Sequence, residues 1–410
     1  MYSVNQAVLF ITTIVFPVAV IAQTVNFYYD RGVEYMKNQM YEAAVRDFKL
    51  VIEKDDVYWE AYHDMGLCHL SLGKKEEAIV DFTGAIAAKK DYYSAYINRA
   101  NTYYDLGKHK EALADYQTIL QAKPDYLTAY EKRAEMYYGA GEYDNAMPDL
   151  DKAIELQSKK LYIYRYRAEI FKQKKEYQAV VDDYTRLLKL DPENKEAFFE
   201  RAKAYYELNK YNEAVKDFSE AQRLQVENEE LHLLRGSAYY KLEKWEPVIK
   251  DFDIVGTKYH SRDPEIFYKK GVCYNMLENW AEAVKELNKA TMFDRSSAKA
   301  YVQRAIAYYN QSKSKEQLAM RDFTKAIETD PECHEAFFYR GVYFQRNMKL
   351  DEAVEDFSKA IKINEDPKYF YFRGAAYYEM NKLNEACTDL KKAAGMGHVK
   401  AKEQAQALCF

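Results

Sequence analysis

A small residue returns along this chain at Gly32, Gly66, Ala100, Ala134, Ala168, Ala202, Gly236, Gly271, Ala305, Gly341 and Gly374, with steps of 33 to 36 residues that are mostly 34. A constant period over eleven units implies one helical unit copied in series, because such a unit cannot bury its apolar face alone and must stack on its neighbour. Four residues before the small marker stands a ring, as in Tyr28, Tyr62, Tyr96, Tyr130, Tyr164, Phe198, Phe267, Tyr301, Phe337 and Phe370, with His232 the exception; three after comes another, usually Tyr. Offsets of minus four, zero and plus three share one helical face. Twelve residues after the marker a second stripe begins with a small residue (Ala44, Ala78, Ala112 and their equivalents) and continues four later with Phe48, Phe82, Tyr116, Leu150 or the like. Each unit therefore reads as two antiparallel amphipathic helices, small residues allowing close approach and rings filling the space around them. Pro124, Pro192 and Pro331 close three of the pairs.

These positions, in all eleven units over roughly residues 25 to 395, resemble the tetratricopeptide repeat family. The resemblance implies an all-α, right-handed superhelical solenoid whose first helices line a concave groove and whose second helices form the back. The expected organisation is a signal peptide over 1–22, the repeat array over 23–395 and a C-terminal capping helix over 396–410.

Residues 1–22 carry no charged side chain, and the apolar run ends Val20-Ile21-Ala22, like a cleavage site before Gln23. An uncleaved anchor is the alternative, though the run is short for a spanning helix. Either way the repeats are expected outside the cytoplasm, exported to a periplasmic or extracellular, envelope-associated location. No membrane span is expected in the mature chain. The bacterial character is a further resemblance, resting on this start and on the Ala-Cys-x-Asp ending around Cys387.

A base precedes the marker in most units (Arg31, Arg99, Arg133, Arg167, Arg201, Arg235, Arg304, Arg340, Arg373, with Lys270 and Met65 departing) and an acid follows it by fifteen residues (Asp47, Asp81, Asp115 through Glu286 to Asp389). The two recur together and lie nearly opposite in an antiparallel pair, so this ladder reads as structural ion pairing and not as a row of anion-binding arginines. Departures in spacing fall at Lys258–His260 of the seventh unit and at the insertion Asn310–Lys315 of the ninth, and Pro148 interrupts a second helix.

Five cysteines leave at least one unpaired. Cys68 and Cys273 sit two after the marker, a core position. Cys387 and Cys409 lie roughly ten residues before and twelve after the Gly395-Met396-Gly397 turn, so at 1.5 Å rise per residue they reach similar heights, and a disulfide between them is expected in an oxidising compartment.

No spacing for metal ligation, nucleophile elbow or phosphate loop is present, and His63 and His69 are six apart. The expected protein is not an enzyme and needs no cofactor or metal. With 60 Lys+Arg against 65 Asp+Glu there is no basic field for nucleic acid. The resemblance places ligand contacts three before, one after and four after the marker. At those offsets the first two units offer Tyr29, Val33, Met36, His63, Leu67 and Leu70. From the eighth unit on they offer Tyr268, Val272, Val302, Ile306, Tyr309, Phe338, Val342 and Tyr371, while units four and five present Glu131, Glu135, Arg165, Glu169 and Lys172. Aromatic and branched side chains on a preformed surface suit protein or peptide partners, and the expected function is a protein–protein scaffold. A carbohydrate- or cell-wall-binding solenoid and a spacer without a ligand are the alternatives.

Overall fold

The structure, a computed structural model, describes residues 24–409, so the expected signal segment lies outside the described residues. All regular structure among them is helical. The described residues fall into two compact units, divided between residues 192 and 193.

The first unit holds five hairpins: α1 (24–37) with α2 (Tyr41–Lys54), α3 (Trp59–Ser71) with α4 (Lys75–Ala88), α5 (Tyr93–Asp105) with α6 (His109–Ala122), α7 (Leu127–Gly139) with α8 (Tyr143–Glu155), and α9 (Leu161–Gln173) with α10 (Tyr177–Leu190). The second holds six: α11 (Lys195–Glu207) with α12 (Tyr211–Arg223), α13 (Glu229–Lys241) with α14 (Trp245–Thr257), α15 (Pro264–Met276) with α16 (Trp280–Phe293), α17 (Ala298–Gln311) with α18 (Glu316–Thr329), α19 (His334–Arg346) with α20 (Leu350–Ile363), and α21 (Pro367–Glu379) with α22 (Leu383–Gly395). A final helix, α23 (Val399–Leu408), covers the last hairpin. The insertion of the ninth repeat becomes a short 3-10 turn, Lys313–Lys315, and α8 runs on through Pro148. Within each unit a second helix packs on the next first helix, and first helices also touch one another, so each unit is a stretch of all-α repeat solenoid.

The alternation of small and ring residues explains the interlock. A Cβ added at Gly32 would stand 2.8 Å from the Phe48 ring, and the same clash recurs at 2.7 Å for Gly66 with Phe82 and for Gly341 with Phe357. The ring sixteen residues on thus lies across the marker, and the next first helix closes the cluster: Phe48 and Val51 pack with Ala61, Met65 and Cys68. In the last hairpin Phe370, Leu390 and Ala393 are covered by Ala401 and Ala405 of α23. A disulfide joins Cys387 to Cys409, with Cα atoms 5.4 Å apart, and ties α23 to α22. Cys68 and Cys273 are buried free thiols, each pushed up to about 12 by burial.

The ion ladder closes every hairpin. Arg31, Arg99, Arg133, Arg167, Arg201, Arg235, Arg340 and Arg373 each donate from Nε and Nη2 to both oxygens of the aspartate sixteen positions on. Arg304 reaches across the insertion to do the same with Asp322. Two repeats use other chemistry. Lys270 bridges Asp253 and Glu286 at 2.5 and 2.9 Å. In the second repeat, where Met65 takes the place of arginine, Asp81 is met by His69 Nδ1 at 2.5 Å.

Ten of the eleven hairpins turn through one residue in the left-handed region, seven positions after the marker. Only Gly73, Gly107 and Gly141 are glycines there; Gln39, Lys175, Asn209, Glu243, Glu278, Met348 and Asn381 adopt the same conformation with side chains. A left-handed backbone costs an L-residue about 1 kcal/mol. Glu243→Gly is therefore expected to stabilise the seventh repeat by about that amount, less the greater flexibility of glycine in the unfolded chain, read as a rise in the urea midpoint.

Candidate functional site

First helices carry the side chains that remain at the surface at ligand-type offsets, and the structure sorts them. In the first unit Tyr29, Val33, Met36, Leu67 and Leu70 are half-buried, while His63 is only 9% exposed. Tyr29 donates to Asp64 Oδ2 at 2.8 Å, and burial first, then Asp64, raises its phenol well above the ordinary value. His63 sits between Asp64 and Asn98, its Nε2 at 2.9 Å from Asn98 Nδ2 and its Nδ1 at 3.2 Å from Asp64 Oδ1. The Tyr29–Asp64 and His63–Asn98 contacts run from one first helix to the next.

In the second unit Tyr268, Val272, Ile306, Tyr309, Val342 and Tyr371 are half-buried. Val302 and Phe338 are not available: they are 0% and 5% exposed, Val302 packed with Phe323 and Ala336, and Phe338 with Phe357 and Tyr369. The stripe from which both were read as surface residues turns inward there, because adjoining first helices close over the offset of minus three. Phe338 has Tyr369 at 4.8 Å and Phe372 at 5.2 Å. Both belong to the core, and His63 is a linking residue at its edge.

The offset of minus two carries contacts that the sequence reading passed over. Asp64 and Asn98 link repeats there, as above; Tyr166 stacks on Tyr138 at 3.8 Å and 8°; and Lys269 stands 5.8 Å from the Tyr240 ring, its ammonium held below the usual lysine range by burial. The signal is in the sequence, since these residues are polar or aromatic on an otherwise apolar helix, but only the helix-to-helix spacing reveals what they meet.

Two cavities open on these faces. One in the first unit, about 440 Å³, is lined from α5, α6, α7 and α9 by Asn101, Tyr104, Asp105, Tyr116, Lys132, Glu135, Met136, Gly139 and Tyr166. Tyr116 donates to Asn101 Oδ1 at 2.7 Å, and Tyr138 beside the cavity donates to Glu169. The other, about 580 Å³ in the second unit, is bounded by Val342, Gln345, Arg346, Met348, Phe372 and Glu379. There Gln345 donates to Glu379 at 2.8 Å and the Arg346 guanidinium lies 5.2 Å from the Tyr309 ring. Among the described residues no group of three His, Cys, Asp or Glu side chains is placed to hold a metal, and no helix is long and apolar enough to cross a membrane.

Family models described as tetratricopeptide repeat match residues 60–92, 97–160 and 294–369, and one described as TPR repeat matches 202–243. DnaJ homolog subfamily C member 3 of Bos taurus is 36% identical over 84 residues, which is 20% of this chain and 16% of that protein. Among solved structures, yeast Tom70 is 17% identical with a TM-score of 0.38, covering 88% of this chain and 97% of its own. A tetratricopeptide repeat protein from Parabacteroides merdae is 22% identical with a TM-score of 0.41, covering 62% and 98%. With models of one repeat type matching just over half of its residues, and with the same interlocked hairpin throughout, the chain belongs to the tetratricopeptide repeat family and serves as a protein–protein interaction scaffold.

Proposed function

We propose that this scaffold is exported and holds protein segments against the first-helix faces of its two units. The observation that carries this reading is the retention of half-exposed apolar side chains at matching offsets of neighbouring first helices: Val33 with Leu67 and Leu70 in one unit, and Val272 with Ile306 and Val342 in the other. A rigid surface that keeps branched side chains partly in water offers a segment apolar burial without the cost of ordering the receptor. The Cys387–Cys409 disulfide supports an oxidising compartment, since such bonds do not persist among reducing thiols.

Photo-cross-linking in the native cell tests the reading. Cross-linkers placed at Lys37 and Ser71, beside the apolar stripe of the first unit, are expected to trap defined polypeptides. Leu67→Glu/Leu70→Glu should cut that yield at least about tenfold while leaving helical content unchanged, because a charge in a desolvated contact is costly. Unchanged trapping in the double variant would refute this use of the face.

A further inference from the structure

The 440 Å³ cavity of the first unit differs chemically from the apolar stripe beside it. Its walls are the rings of Tyr104 and Tyr166 with the edge of the buried Tyr116, and Gly139 lets the Tyr104 hydroxyl come close, since a Cβ there would stand 2.6 Å from it. Carboxylates enter from two helices, Asp105 from α5 and Glu135 from α7. Each is neutralised only loosely: Asp105 by Lys75 at 3.3 Å and Glu135 by Lys132 at 2.9 Å, with all four side chains more than a third exposed. Exposed pairs of this kind contribute little and exchange readily for a better-shaped cation. Both signs of charge stand around the cavity: Lys132 lines it, and Arg165, 5.4 Å from the Tyr166 ring, faces Glu169 at 4.0 Å. Glu131 lies buried against Ser158, Glu169 accepts from Tyr138, and the Tyr116 and Tyr162 phenols are both raised, by burial first and then by Glu135. Repeats four and five are also the only ones with an acid one position after the marker, where the others carry Val33, Leu67, Asn101, Lys203, Ser237, Val272, Ile306, Val342 or Ala375.

We propose that this cavity takes an arginine side chain of a partner protein segment, its guanidinium plane against the tyrosine wall and its N–H fork turned to Asp105 and Glu135. Arginine suits the site better than lysine. A planar, weakly hydrated cation stacks on a phenol ring and donates to two carboxylates at once, and the volume lies within the range of ligand pockets. A neutral sugar would make no use of either acid's charge, which Lys75 and Lys132 already partly offset. The proposal rests on the reading of this face as protein-binding, and it adds the partner's chemistry.

The full chain is titrated with N-acetyl-arginine amide, with the uncharged isostere N-acetyl-citrulline amide, and with cellobiose, followed by chemical shifts of the tyrosine rings. The arginine derivative is expected to bind at least about tenfold more tightly than citrulline, with an affinity that falls as salt rises. Asp105→Asn/Glu135→Gln should remove that preference with unchanged circular dichroism. Equal binding of citrulline, retention of the preference in the double variant, or binding of cellobiose in place of arginine would overturn the assignment. Because the probes are single small molecules, failure here leaves the cross-linking test of segment binding untouched.

Discussion

Arg340→Met is expected to destabilise the tenth repeat by about 3–5 kcal/mol, the cost of stranding a buried charge. Asp356 is 2% exposed, and both its oxygens are taken by Arg340, Nε to Oδ2 at 2.7 Å and Nη2 to Oδ1 at 2.9 Å. Methionine fills much of the same volume but leaves the carboxylate facing the hairpin core. Arg340→Met/Asp356→Leu removes both charges and should recover most of the loss, since a buried pair exchanged for apolar side chains is often near neutral. Urea unfolding of the full chain, with hydrogen exchange resolved to α19 and α20, measures both. Equal destabilisation by the single and double variants would show that the arginine acts by shape and not by charge. The recurrence of the pair suits a role in register: a bidentate fork sixteen residues from its partner matches only one alignment of the two helices, and Arg304 keeps its aspartate even when the insertion lengthens the path.

The repeat and its ladder are legible in the sequence because each constraint is local to a hairpin and is written eleven times. The turn is not. Its left-handed residue is glycine in only three of ten hairpins, so side chains such as Glu243 and Met348 conceal a backbone requirement that composition cannot reveal. The candidate faces are half legible. Offsets on one helix identify Val33, Leu67 and Val272 as outward, but whether Val302 or Phe338 stays in water depends on how close the next first helix comes, and no spacing within one repeat encodes that distance. The cavity of the first unit is visible as Glu135 and Gly139 only after α5 and α9 are seen to flank α7.

In the second repeat, where the ladder changes chemistry, protection from hydrogen exchange in α3 and α4 is expected to fall as pH rises from about 4 to about 6. Asp81 has no arginine: Met65 occupies that place, and His69 Nδ1 lies at 2.5 Å. Around the carboxyl stand His69, Tyr62 and Cys68 from α3, Glu77 on its own helix, and Lys49 from α2. Burial raises Asp81 from 3.8 to about 6, and the His69 hydrogen bond only partly opposes it. An acid with a raised folded value keeps its proton in the native state at a pH where the unfolded chain has lost it. The contribution of Asp81 to stability is therefore greatest below 3.8, declines through the window and stays lower above 6, a difference of about 3 kcal/mol at full effect. The other hairpins use arginine in nine cases and lysine in one, and those apart from the fourth and fifth, where burial also raises Asp149 and Asp183, supply the control. Met65→Arg/His69→Tyr writes the prevailing pattern into the second repeat and should flatten its pH dependence while raising its protection at pH 7.5. A slope that survives in this variant would mean that the dependence arises elsewhere than at Asp81. The consequence reaches the surface, because Leu67 and Leu70 ride on the same helix as His69. If the pair loosens α3 as its proton leaves, segment binding at this end of the face should weaken over the same interval of pH, and the rewritten repeat should hold its partner on both sides of it.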